Sequence, residues 1–165
     1  MRGTVIVARS EFHLTNVTTL PTGRAKAADY KGIRLINIYP PFGTARRTER
    51  KQFYNVEVPF LLQADQGNIV VGGDFNCILD PVDTTGPFQH SRALANLIHG
   101  MHLKDTWIQS PTSSTYTHHP PSGATRIVRL YVSHELLQKK TGIEILPATF
   151  TDHKAVALRL AISNP

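Results

Sequence analysis

The chain has 165 residues, 41% hydrophobic and 18% charged, enough apolar material to bury the core of one domain. Its 18 Lys and Arg outnumber 12 Asp and Glu for a net charge of +6, which serves either solubility alone or attraction to a polyanionic partner. A single cysteine, Cys77, excludes an internal disulfide framework and a multi-cysteine zinc site, and no apolar run approaches the roughly 18 residues of a membrane span, so a soluble intracellular protein is expected.

Strand signals come first. Thr4-Val5-Ile6-Val7-Ala8 is β-branched and begins almost at Met1, which predicts a strand over 5–8 and suggests a domain missing its opening. Further strands are expected over 33–39, 68–72, 115–117, 126–132, 143–150 and 155–162, several bounded by Gly or Pro. A helix is expected over 45–62, with Phe53, Val56 and Phe60 as its apolar set and a kink or early stop at Pro59, whose ring crowds the carbonyl of Asn55. A second helix is expected over 91–101, capped by Ser91, with Leu94, Leu97, Ile98 and Met101 on one face. The Pro-, Gly- and Ser-rich stretches 81–89 and 118–124 read as loops.

Chemistry concentrates at two places. Gly73-Asp74-Phe75-Asn76 follows the apolar run Ile69-Val70-Val71, so in an extended segment Asp74 and Asn76 share one face while Phe75 turns into the core. A carboxylate there can orient or deprotonate a water, and an amide can donate to a phosphate oxygen without adding negative charge. The plainer alternative is a strand-end turn whose Asp and Asn satisfy backbone groups. Far downstream, Thr151-Asp152-His153 sets a hard oxygen ligand beside an imidazole able to stabilise an oxyanion. Tyr39, after Asn37 and before Pro40-Pro41, ends a strand where its hydroxyl can reach the same phosphate. It also fits as an ordinary half-buried strand tyrosine. Arg46, Arg47, Arg50 and Lys51 either grip a phosphate backbone or form a solvated helix face. His118-His119 with Tyr116 lacks neighbouring ligands in sequence, so no zinc site is expected there, and Cys77 reads as a small core residue.

Taken together, Asn37-Ile38-Tyr39-Pro40-Pro41, Gly72-Gly73-Asp74-Phe75-Asn76, Arg126-Ile127-Val128-Arg129-Leu130-Tyr131 and Thr151-Asp152-His153 resemble, in order and spacing, the endonuclease/exonuclease/phosphatase superfamily. The similarity is to the apurinic-like endonuclease domain of non-long-terminal-repeat retrotransposons, with Phe42-Gly43-Thr44-Ala45-Arg46-Arg47 and Cys77-Ile78-Leu79-Asp80-Pro81 adding to it. The resemblance implies an α/β fold, a four-layer sandwich of the DNase I-like type with its site at strand ends, and Mg²⁺-dependent nicking of DNA. It implies that Asp74 and Asn76 handle the nucleophile and phosphate, Tyr39 contacts the phosphate, Asp152 binds metal and His153 stabilises the oxyanion. It also implies that Asn37, Arg46, Arg47, Tyr116 and Arg126 face nucleic acid, with a reverse transcriptase domain in the parent polyprotein and a nuclear location.

Two departures bear on activity. The family's opening strand, helix and metal-binding Glu have no counterpart, so the expectation is a domain lacking its first strand and helix, with Mg²⁺ weakly held or absent. Val128 replaces the Asp that holds the catalytic imidazole in the family pattern Arg-Ile-Asp. Impaired nicking is therefore expected, the alternatives being a non-catalytic DNA-binding or merely folded remnant and a small-phosphoester phosphatase.

Overall fold

The computed structural model describes residues 3–62, 67–107 and 115–162. Its frame is a six-stranded sheet ordered β1 (Thr15–Thr19), β2 (Ala25–Tyr30), β3 (Ile33–Ile38), β4 (Ile69–Asp74), β6 (Val128–Val132) and β5 (Lys104–Asp105). Among the described strands of this sheet only the β3–β4 pairing is parallel, and the connection between them carries a helical run. A second, two-stranded antiparallel sheet joins β7 (Lys140–Leu146) to β8 (Ala155–Leu160). The β2–β3 hairpin turns on Lys31 and Gly32, both at positive φ (47° and 74°), the twist that a two-residue antiparallel turn requires.

Side-chain alternation splits the sheet into two faces. Ile36 and Ile38 of β3, Ile69 and Val71 of β4 and Tyr131 of β6 point to a large core shared with Phe53, Tyr54, Val58, Leu61, Leu94 and Leu97. The opposite face sends Leu35, Val70 and Val132 into a smaller cluster with Leu158 and Leu160 of β8. Short α4 (His134–Gln138) closes this second cluster through Leu136. The described layers are thus helices, sheet, sheet, in a mixed α/β sandwich.

The first helical run is one irregular element: α1 (Arg47–Gln52), a π turn over Phe53–Glu57, and α2 (Val58–Leu62). Val58 N–H donates to Phe53 O, five residues back. That widened turn makes room for the Pro59 ring over Asn55, so the helix passes through the proline instead of ending there. The extra residue also rotates the face that follows. Val56 and Phe60, expected inside, are 61% and 73% exposed, while Tyr54, Val58, Leu61 and Leu62 are buried. Helix α3 (Arg92–Gly100) matches its sequence reading: Ser91 Oγ accepts from Leu94 N at 3.4 Å, and Leu94 and Leu97 are buried.

Other expectations shift. Residues 5–8 form no strand; Thr4 N donates to Gly23 O at 2.9 Å and Val5 O accepts from Asn37 Nδ2 at 2.9 Å, side by side with the sheet rather than within it. Residues 115–117 are likewise not a strand, although His118 makes isolated bridges to Thr125 and His153. Strand β6 starts at Val128 rather than 126, β7 runs 140–146 rather than 143–150, and β4 extends to Asp74. Strands β1, β2 and β5 carried no recognised signal.

Candidate active site

Parallel pairing of β3 and β4 brings their C-terminal ends level, Ile38 against Gly73. Gly73 is obligatory there. It sits at φ 140°, and a Cβ would fall 2.0 Å from Ile38 O. Tyr39, half-buried, continues β3 past this point, its backbone pinned by Tyr39 N to Arg24 O at 2.8 Å and Arg24 Nη1 to Tyr39 O at 3.2 Å. Phe75 is fully buried and edge-on to Tyr131 at 5.1 Å, which anchors the segment between Asp74 and Asn76.

The strand ends at Asp74. Asn76 adopts φ 49°, its N–H donates to Asp74 Oδ1 at 2.9 Å, and its Nδ2 donates to Pro40 O at 3.2 Å. The motif is therefore a turn as well as a site, since the Asp side chain satisfies the backbone that would otherwise be left open. Tyr54 of the π turn donates to Phe75 O at 2.6 Å, and the Cys77 thiol donates to the same carbonyl at 3.2 Å. Burial pushes the Cys77 thiol above its ordinary value, in keeping with a core residue and not a nucleophile.

The late motif arrives at this strand end through loop lacing: His119 N donates to Asp152 O at 2.9 Å and Lys154 N to Thr117 O at 2.7 Å. His153 Nδ1 lies 3.9 Å from Asp74 Oδ2, and its Nε2 lies 3.8 Å from Asp152 Oδ1. His118, stacked on His153 with ring centroids 4.4 Å apart, places Nε2 3.2 Å from Asp152 Oδ2. Burial raises the Asp74 carboxyl above the ordinary carboxylate range, against the pull of the Asn76 N–H and of His153 and His118. At exposed Asp152 desolvation pushes upward, but His118, the backbone and His153 together hold the carboxyl below that range.

Val128 is paired directly with Asp74 across β4 and β6, on the same face, and its N–H is taken by Thr117 Oγ1 at 2.9 Å. Its side chain lines a hollow of about 10 Å³ with Ile143, Ile145 and Val156. The buried Trp107 indole N–H lines the same hollow and has no partner among the described residues.

Beside the strand ends opens a cleft of about 740 Å³, lined by Asn76, Asn55, Tyr54, Arg47, Arg50, Lys51, His90, Arg92 and Asn96. Among the described residues no carboxylate lines it, and of Asp74, Asn76, Asp152 and His153 only Asn76 does. Arg47 faces this cleft, whereas Arg46 lies outside its lining and pairs with Glu49 at 3.6 Å. Asn37 also lies elsewhere, in a shallow hollow of about 230 Å³ with Ile6, Leu35 and Val70. The Tyr116 hydroxyl is occupied by Val82 O at 3.4 Å. Arg126 does not face nucleic acid as expected: it is 8% exposed and clamped to Asp83 at 2.8 Å and Asp105 at 2.7 Å, and so offers no cation to a phosphate. With Arg129 on the other Asp83 oxygen at 3.0 Å, it locks the 81–83 turn to the sheet. Sequence reasoning missed His118, His90, Arg92 and Asn96. For His118 the signal was the His-His pair, discounted because its partner ligands lie 34 residues on in the chain.

A mixed α/β sandwich with carboxylate, amide and imidazole gathered at strand ends beside a basic cleft defines a phosphoester-hydrolase type of architecture. The chain belongs to the Endonuclease/Exonuclease/phosphatase family, whose pattern matches residues 2–153. It is 30% identical over 138 residues to the Transposon TX1 uncharacterized 149 kDa protein of Xenopus laevis; the match takes in 78% of this chain and only 10% of that protein. Among solved structures it resembles the 3′ phosphatase NExo of Neisseria bound to a product DNA hairpin (TM-score 0.77, 19% identity, 93% of this chain and 73% of that one). It also resembles an AP endonuclease of Archaeoglobus fulgidus (TM-score 0.78, 16% identity, 92% and 72%). These likenesses establish the DNase I-like fold. No helix among the described residues is long and apolar enough to cross a membrane.

Proposed function

We propose that the chain is the DNA-nicking module of a retrotransposon-type protein, hydrolysing phosphodiesters at the Asp74 strand end. The observation that carries this reading is the convergence of Asp74, Asn76, Asp152 and His153, joined through Asn76 to a cleft whose charged lining among the described residues is basic. Asp74, with its carboxyl raised by burial, orients and deprotonates the attacking water; Asn76 Nδ2 turns from Pro40 O to a phosphate oxygen. His153 stabilises the developing charge, Tyr39 contacts the phosphate from the end of β3, and Arg47, Arg50, Lys51 and Arg92 hold the flanking backbone. A reverse transcriptase domain elsewhere in the parent polyprotein would use the nicked strand.

Family nucleases generally use divalent metals. Mg²⁺ takes oxygen ligands in strict octahedral geometry. Here the two carboxylates approach opposite nitrogens of the same imidazole, so Asp74 and Asp152 do not close on one oxygen-lined position, and the donor set fits Mg²⁺ poorly. Slow turnover follows, made slower by Val128: an imidazole without a firm orienting hydrogen bond loses roughly 10–100-fold in comparable settings.

Nicking of supercoiled plasmid tests the proposal, with slow conversion to open circles expected in Mg²⁺ or Mn²⁺ and none for Asp74→Ala. Equal conversion by wild type and Asp74→Ala, or none by either while duplex DNA still binds, overturns hydrolysis. The second of these outcomes would favour a DNA-binding remnant, a reading that the apolar Val128 opposite Asp74 already supports.

A further inference from the structure

We propose that His118, Asp152 and His153 form a binding site for a first-row transition-metal cation of the Zn²⁺ or Co²⁺ kind. One ligand atom from each lies within 4.8 Å of the others. Bonds of about 2.0–2.2 Å to a shared ion bring donors to within about 3–4 Å of each other, so the set closes when the side chains draw together by about 1 Å and one ring tilts.

The two rings are stacked, with centroids 4.4 Å apart and 29° between their planes, so one must tilt for both Nε2 atoms to meet a single ion. His118 Nδ1 is within hydrogen-bond reach of Thr125 Oγ1 at 3.3 Å, which leaves Nε2 facing Asp152. His153 Nδ1 lies 3.9 Å from Asp74, beyond hydrogen-bond distance, while its Nε2 lies on the Asp152 side at 3.8 Å. Metal-bound histidines characteristically place the second ring nitrogen against a hydroxyl, carbonyl or carboxylate, and of the two rings His118 has such a partner in Thr125. The backbone is fixed as well, through the His118–His153 bridge and the Asp152 carbonyl held by His119 N. Asp152 and His153 are 52% and 33% exposed, so an ion has access from solvent.

Two imidazoles with one carboxylate suit Zn²⁺, Co²⁺ or Ni²⁺, whereas Mg²⁺ prefers an all-oxygen shell. The site shares Asp152 and His153 with the proposed nicking centre but adds His118, and it can be tested without DNA. Co²⁺ is titrated into the full chain and followed by its visible ligand-field bands, then displaced by Zn²⁺. One equivalent is expected to bind, with excess Mg²⁺ unable to displace it. His118→Ala and the near-isosteric Asp152→Asn should each weaken binding roughly 10–100-fold or more. His119→Ala, one residue away, should leave it unchanged. Thermal unfolding of each variant without metal checks that the fold survives, and Asp152→Asn serves if His118→Ala does not fold. Binding that survives both His118→Ala and Asp152→Asn, that fails with His119→Ala, or that Mg²⁺ displaces overturns the inference. Absence of nicking in Mg²⁺ by the Co²⁺-free chain, with Co²⁺ binding intact in a separate titration, would sink the hydrolysis reading alone, since an ion on His153 Nε2 itself withdraws that imidazole from the phosphate.

Discussion

Asp74 holds its turn together and supplies the proposed base, and these two tasks favour different side chains. As an acceptor for Asn76 N at 2.9 Å it needs only an oxygen, which an amide provides equally well. As a base it needs a charge that burial resists, so its carboxyl titrates higher in the folded protein than in the unfolded chain. The sign follows from proton uptake. Between the ordinary and raised values the folded state holds the proton more tightly, so stability falls as pH rises through that window, and the penalty is complete above it. Asp74→Asn is therefore expected to abolish nicking and raise Tm at pH 7, by about 2–4 °C for each kcal/mol recovered. The gain should vanish near pH 3.5, about where the unfolded carboxyl itself protonates. Thermal melts at the two pH values check this, and a lower Tm at pH 7 would show that the neighbouring imidazoles outweigh burial.

At the scale of elements, the site depends on how closely β3 and β4 run. Gly73→Ala drives a Cβ into Ile38 O and imposes a strained φ, so a loss of more than about 3 kcal/mol is expected, measurable as a fall in the urea midpoint. Survival with little change would mean that the strand ends can separate freely. Removing Asp83 tests the neighbouring clamp. It leaves Arg126 and Arg129 buried without their shared carboxylate, and Asp83→Ala should cost about 3–5 kcal/mol by the same measurement. Legibility differed by element for physical reasons. Strand β4 and helix α3 were readable because β-branched runs and a capped 3.6-residue period are local signals. Strand β2 was not: Ala25, Ala27 and Ala28 are all but completely buried, chosen for small size and not for β propensity. The π turn could be anticipated only as trouble at Pro59, since its register effect on Val56 and Phe60 depends on how the backbone solves the clash. At the site, Asp74, Asn76, Asp152 and His153 were legible as motifs. His118 was not, because its partners become neighbours only through the loop lacing, and Arg126 misled because a basic residue beside a motif looks the same whether it meets phosphate or Asp83.

On the scale of the whole molecule, a net charge of +6 says only that anions are attracted, while its distribution says where. Arg47, Arg50, Lys51 and Arg92 gather on one cleft next to Asn76; Arg34, Arg126 and Arg129 are buried and lie within reach of carboxylates. Arg50 already donates to Pro41 O and Gly43 O at 2.9 and 3.1 Å, which fixes its guanidinium at the rim and makes Arg47 the freer probe. If these cations neutralise three or four phosphates, counterion release sets the slope of log K against log salt near about −3 to −4. Affinity for duplex DNA then falls roughly 100-fold between about 50 and 200 mM salt, with little sequence preference where the contacts are to phosphates. Arg47→Gln should weaken binding to all sequences alike and make the slope shallower by about 1. Arg46→Gln should leave the slope alone, since Arg46 is turned toward Glu49 and away from the cleft. Fluorescence anisotropy across a salt series separates these cases. Equal effects of the two substitutions would mean that DNA is held by the overall field and not by the cleft, and Asn76 would then have no reason to meet a phosphate.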